Sequence, residues 1–156
     1  MGESLQVSGI IALDPGKLTG YAILVDNKLN RGQLPYLDAL DYAASLLSRR
    51  VVDVAVIEDF LISERTIRVT RGEMWSLRSI GAVQWFCHRM NAEFVLQIPG
   101  DAKEFCPNER LKALGWHFPG RPHANDAMRH LLLYLARNNR YDGQFVDGIT
   151  QDVHGP

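Results

Sequence analysis

A chain of 156 residues, 46% hydrophobic and 22% charged, has enough apolar content for one folded core, which excludes disorder as its main state. No apolar run reaches the roughly 18 residues of a membrane span. No basic stretch leads into an apolar one near Met1, and Cys87 and Cys106 are too few for a disulfide framework, so the expected setting is cytoplasmic, with no membrane partner. The formal net charge of −1 argues against a uniformly basic nucleic-acid binder. The charge is unevenly placed, however. Residues 62–90 hold five arginines against two glutamates, and residues 103–140 hold seven basic side chains against three acidic ones. Two basic segments thus sit inside an acidic frame. They read either as solvated helix faces or as a positive surface beside an acidic pocket.

Val7 to Leu13 is an apolar run that ends at Asp14-Pro15-Gly16, the pattern of a buried strand entering a turn. Gly20 to Val25 reads as a second strand, and Asp26-Asn27 turns the chain into a weaker third one over Leu29 to Leu34. Pro35 to Arg50 carries Leu37, Leu40, Ala44 and Leu47 at helical spacing. Val51 to Ile57 is β-branched and ends at Glu58-Asp59, a strand buried on both faces. Leu61 to Arg71 is polar without a clear period, and Glu73 to Met90 is helical. Glu93 to Ile98 is a fifth strand, stopped by Pro99-Gly100. Asp101 to Leu114 is helical with a break imposed by Pro107. His123 to Arg140 is a strong final helix, and the Gly- and Asp-rich segment from Tyr141 is flexible or loosely packed. Three strands joined by short links make an antiparallel meander, and the two helix-linked strands add in parallel. The expected architecture is α/β, a mixed five-stranded sheet flanked by helices.

Asp14 closes the first strand and Glu58 the fourth, and ligand groups gather at the carboxyl ends of such strands. If those strands are parallel neighbours, the two carboxylates face each other and oppose each other's ionisation. A divalent cation relieves that repulsion, and oxygen ligands suit Mg²⁺. His123 and Asp126 are three residues apart, so they share one helix face in its first turn. Each residue has a plain alternative. Asp126 is a first-turn acid that suits the helix dipole, Asp14 a turn residue before Pro-Gly, and Glu58 a partner for any nearby arginine. The set of four, flanked by basic segments, favours a site.

These residues resemble the RuvC-like Holliday junction resolvases of the RNase H-like superfamily, over roughly residues 8–137. Ile11-Ala12-Leu13-Asp14-Pro15-Gly16 with Thr19-Gly20-Tyr21-Ala22 resembles the family's opening motif. Val56-Ile57-Glu58 resembles its strand-end glutamate, and Pro99 with Lys103 its Pro-x-x-x-Lys. His123-Ala124-Asn125-Asp126-Ala127 resembles its last acidic motif, whose first acid is histidine in some members. The gap between Asp-Pro-Gly and Thr-Gly is one residue short of the typical bacterial spacing. The stretch from Lys103 to His123 is also short and lacks the family's Gly-x-Gly, which leaves the placement of Lys112 open. The compact length is closer to bacteriophage-encoded members.

The resemblance implies an RNase H-like nuclease domain over 1–140 with an acidic Gly-rich tail over 141–156. It implies a homodimeric crossover junction endodeoxyribonuclease for recombination and repair, dependent on Mg²⁺ with Mn²⁺ as a substitute. Branched DNA (a four-way junction, flap or fork) would be its substrate. Asp14, Glu58, His123 and Asp126 would be its catalytic and metal-binding set. Asp59 ranks below Glu58, because side chains alternate along a strand.

Arg65, Arg68, Arg71 and Arg78 suit phosphate contacts, or ion pairs with Glu64 and Glu73. Lys103 and Lys112 are further phosphate candidates. Phe60 reads either as a base-stacking wedge, which the family carries one residue later, at Leu61 here, or as core. Met74, Leu77, Gly81 and Trp85 lie on a helix with more apolar surface than one buried face needs, and the resemblance makes this the dimer interface. Two other functions fit the same residues. One is a nuclease of this fold that processes structured RNA. The other is a non-catalytic module that binds branched nucleic acid.

Overall fold

The computed structural model describes residues 9–64, 74–138 and 150–151. In chain order these form β1 (Gly9–Asp14), β2 (Leu18–Val25), β3 (Lys28–Pro35), α1 (Tyr36–Ser48), β4 (Val54–Glu58), α2 (Met74–Met90), β5 (Glu93–Gln97), α3 (Pro99–Phe105), α4 (Asn108–Ala113), α5 (Pro122–Arg137) and β6 (Thr150–Gln151). The sheet order is β5-β4-β1-β2-β3-β6. β1, β2 and β3 pair antiparallel, whereas β4 pairs parallel with both β1 and β5. The expected mixed sheet is thus present. It gains one strand, because Thr150–Gln151 adds parallel to Lys28–Leu29 at the edge. Part of the C-terminal segment read as flexible or loosely packed is therefore paired to the sheet.

Local chemistry explains the joints. Asp26 and Asn27 both adopt positive φ, at 49° and 60°, which is what a two-residue hairpin turn with the twist of its strands requires. Pro107 separates α3 from α4, as its missing N–H demands. α5 begins on Pro122, which needs no N–H partner at a helix start.

The period of two along each strand sorts the core into two layers. Ile10, Ala12, Ala22, Leu24, Val54 and Val56 face α5, packing on Met128, Leu131, Leu132 and Leu135. Ile11, Leu13, Tyr21, Ile23, Ala55 and Ile57 face α1 and α2, packing on Ala43, Leu47, Val83 and Cys87. Asp14 and Glu58 continue the first series. Both carboxylates therefore emerge on the α5 side of the sheet. The parallel register of Leu13 with Ile57 sets them level.

Candidate active site

Asp14 is buried, with 6% exposure, at the end of β1. His123 reaches it from the first turn of α5, with Nδ1 2.8 Å from Asp14 Oδ2. Two features bring α5 that close. Gly20 of β2 pairs with Asp14 in the sheet, and a Cβ there would fall on the His123 carbonyl. Gln33 of β3 then caps the helix start: its Oε1 accepts the N–H of His123 at 2.9 Å and that of Ala124 at 3.4 Å. Asn125 fixes the approach to the helix by exchanging two hydrogen bonds with the Phe118 backbone, at 2.8 and 3.0 Å. Gln33 was not among the residues singled out from sequence, and Asn125 stood there only as part of the motif around Asp126, without a role of its own. An amide capping a helix from a distant strand leaves no local pattern to read.

Glu58 ends β4 with its side chain one-fifth exposed. Its Oε2 lies 2.7 Å from Nε2 of the buried His130. Asp126 pairs through Oδ1 with Arg129, whose guanidinium also bonds the Cys106 carbonyl at 2.8 Å and the Asn108 side chain. Each of the three acids thus has one oxygen on a partner from α5: His123, His130 or Arg129. Sequence reading missed His130 and Arg129. The signal for His130 was present, since positions 123, 126 and 130 share one helix face.

The four residues expected from sequence to bind metal therefore gather at one end of the sheet without closing into a cage. Asp14 and His123 touch. Glu58 and Asp126 are near enough to act on Asp14 through their charge, yet each is turned to its own partner. Among the described residues, no three His, Cys, Asp or Glu side chains converge on one point. Burial raises the Asp14 carboxyl above its ordinary value against the lowering effect of the His123 hydrogen bond, and the charges of Glu58 and Asp126 raise it further. His123 is raised above its ordinary value by its bond to Asp14, with burial opposing and the acids' charges assisting. An acid whose ionisation two neighbouring acids oppose is the donor type that a divalent cation with oxygen ligands relieves.

Beside Asp126 opens a cleft of about 500 Å³, walled by Lys103, Asn108, His117, Arg121, Asn125 and Arg129 among others. Lys103 is where the sequence places it. Lys112 is exposed on α4 and does not line the cleft, while His117 and Arg121 do. Arg65, Arg68 and Arg71 lie outside the described residues. Arg78 is exposed on α2 with its guanidinium 5.2 Å over the Trp75 ring. Phe60 is half-buried and belongs to neither core layer, whereas Leu61 and Ile62 after it are exposed. Asp59, the residue ranked below Glu58, accepts the Phe60 N–H at 2.8 Å. Ser76 at the start of α2 donates to the Pro15 carbonyl at 2.8 Å, tying that helix to the turn after Asp14.

Sheet order and register, with helices on both faces, are those of the RNase H-like fold. Among solved structures the likeness is to RuvC. The chain matches Thermus thermophilus RuvC with a TM-score of 0.60 at 15% identity, over 85% of this chain and 97% of that one. It matches T. thermophilus RuvC in complex with a Holliday junction substrate with a TM-score of 0.59 at 15% identity, over 85% and 96%. At that identity the likeness is one of fold. No protein-family model matches the chain, and no curated protein matches it.

Proposed function

We propose that this protein is a divalent-metal-dependent endonuclease acting on branched DNA, four-way junctions first among them. The observation that carries the reading is the gathering of Asp14, Glu58 and Asp126 at one end of the sheet on its α5 side, near enough that the charges of the other two oppose the ionisation of Asp14. The RuvC fold supports it. Asp14, Glu58, Asp126 and His123 would hold Mg²⁺, or Mn²⁺ in its place. A metal pair bound there supplies charge stabilisation at the scissile phosphate and an activated water. The chain's own residues then do the positioning. Gln33 and Gly20 set His123 against Asp14. Arg129 holds Asp126, and Lys103 and Arg121 offer positive charge to the phosphates of the strand beyond the site.

The dimer belongs to the same proposal. Met74, Leu77 and Trp85 are 50%, 43% and 59% exposed on one face of α2, and Gly81 between them has open space where a side chain would stand. A groove of about 250 Å³ between α1 and α2, walled by Leu37, Leu40, Trp85 and Phe86 among others, continues this apolar surface. A two-fold pairing through it places two sites on a two-fold substrate. Among the described residues, no helix is long and apolar enough to cross a membrane.

The deciding experiment incubates the purified protein with four-way junction, flap, fork, linear duplex and structured RNA, in Mg²⁺ and in EDTA. Nicking of branched DNA in Mg²⁺ alone supports the proposal. Cleavage confined to RNA favours the RNA-processing reading, and junction binding without cleavage in Mg²⁺ or Mn²⁺ favours the non-catalytic module.

A further inference from the structure

His130 sits four residues beyond Asp126 on α5 and is 1% exposed. Its neighbours Met128, Leu131 and Leu132 are fully buried apolar side chains, and an apolar residue at 130 would extend the same core. An imidazole buried there is costly unless its nitrogens are bonded. Both are. Nε2 lies 2.7 Å from Glu58 Oε2 and Nδ1 lies 2.8 Å from Gln97 Oε1. Gln97 ends β5 beside Glu58 in the sheet and is 2% exposed. Its Nε2 is buried with no hydrogen-bond partner. A half-turn of that amide places its NH₂ on Nδ1 and leaves the ring to donate through Nε2 to Glu58. Gln97, His130 and Glu58 then form one directed chain from β5 through α5 to β4.

We propose that His130, backed by Gln97, is a positioning residue that aims the Glu58 carboxylate at the metal site. The inference rests on the reading of Glu58 as a metal ligand. A glutamate at a strand end has several free torsions, and its affinity for a cation depends on how many of them are already fixed. Holding Oε2 from the buried side sets the plane of the carboxylate and presents the other oxygen to the site. Outer partners of this kind are worth about 10–100-fold in metal affinity or activity. The competing role is a plain cross-link that pins α5 to the sheet.

Two amide substitutions separate these roles. In His130→Gln the side-chain amide reaches where Nε2 was and still donates to Glu58. In His130→Asn it reaches only where Nδ1 was and serves Gln97 alone. Both bury one amide, so a cross-link role predicts equal losses. Mn²⁺ binding to the metal-stripped protein, followed by electron paramagnetic resonance, should weaken about 10–100-fold in His130→Asn and stay close to the parent in His130→Gln. Equal Mn²⁺ affinity in parent and His130→Asn overturns the proposal. So does an equal loss in both variants that tracks their melting temperatures. If a variant does not fold, the parent carries the test: the ring ¹⁵N resonances of His130 shift on Mg²⁺ addition, and unmoved resonances overturn the inference. Asp14→Asn run alongside tells the two failures apart. A parent whose Mn²⁺ binding depends on Asp14 but not on His130 sinks this inference alone. A parent that binds no Mn²⁺ sinks the metal-site reading and this inference with it.

Discussion

The two faces of the sheet are covered in different ways. α5 buries eleven of its 16 residues against one face, including the charged Arg129 and the polar Asn125 and His130. α2 buries three of its 17, Ser79, Val83 and Cys87, and leaves Met74, Leu77 and Trp85 in solvent. The first face is closed, and its polar groups are held by specific partners, as a site that must fix several acids requires. The second is unfinished as a monomer surface. Contiguous exposed apolar side chains of this kind mark a surface that another molecule covers. On the proposed function, chemistry belongs to the α5 side and assembly to the α2 side.

The sharpest break between the two sides comes from Asp14→Asn. Nicking of branched DNA in Mg²⁺ is expected to fall to background. The metal-free variant should melt at or above the parent temperature, because asparagine removes a buried charge opposed by Glu58 and Asp126 yet keeps an oxygen for His123. Its oligomeric state should be unchanged by light scattering.

Leu77→Glu does the opposite. It puts a charge at the centre of the exposed α2 stripe and should weaken self-association by about 2 kcal/mol or more, roughly thirtyfold. On the proposed pairing, sedimentation shows the variant as monomer at concentrations where the parent self-associates, and cuts in two opposing strands become uncoupled. An unchanged sedimentation profile would move the interface elsewhere.

Gly20→Ala probes the close approach that builds the site. The added methyl falls on the His123 carbonyl, so the helix must move off the sheet. A loss of about 1–3 kcal/mol in urea unfolding is expected, with Mg²⁺-dependent cleavage falling further than stability alone explains. The same change at Gly81, inside α2, meets open space and should raise stability by about 0.5–1 kcal/mol, because alanine is the better helix former.

Arg121→Ala tests whether the cleft beside Asp126 holds phosphates. Junction affinity should fall, and the slope of log affinity against log salt should drop by about one. Lys112→Ala, off the cleft, should leave that slope closer to the parent's.

The smallest effect is in pH. His123 gains its proton more readily folded than unfolded, so its contribution is fully present below about 6.5 and is lost as pH rises through its raised folded value. Asp14 is also raised, so its contribution too declines with rising pH, in the acid range above the ordinary carboxyl value. Metal-free protein should therefore melt at progressively lower temperature as pH rises from about 6.5 through the folded value of His123, and His123→Ala should flatten that slope.

Asp14 and Glu58 were legible in the sequence because a strand that ends in an acid announces itself, and the period of two then fixes the face. Pro107 announced the break between α3 and α4, and Asp26-Asn27 the hairpin. His123 and Asp126 were legible as an i, i+3 pair. What holds these residues in place was not. His130 hides among leucines and methionine, and its partners Gln97 and Glu58 lie 33 and 72 residues away. Gln33 caps a helix that starts some ninety residues later. Arg121 and His117 reach the cleft from a connecting stretch whose path no periodicity describes. β6 has two residues, too few to show a period. The sequence shows the groups that would do chemistry more readily than those that hold them, because pairing across distant elements leaves no local pattern.

On the proposed function, Asp14, Glu58 and Asp126 hold a catalytic divalent cation at the carboxyl ends of β1 and β4. Anomalous diffraction from Mn²⁺-soaked crystals tests it most directly. A peak bounded by these three carboxylates is expected in the parent, and its loss in Asp14→Asn. A peak elsewhere, or none between them at Mn²⁺ concentrations that support cleavage, would contradict it.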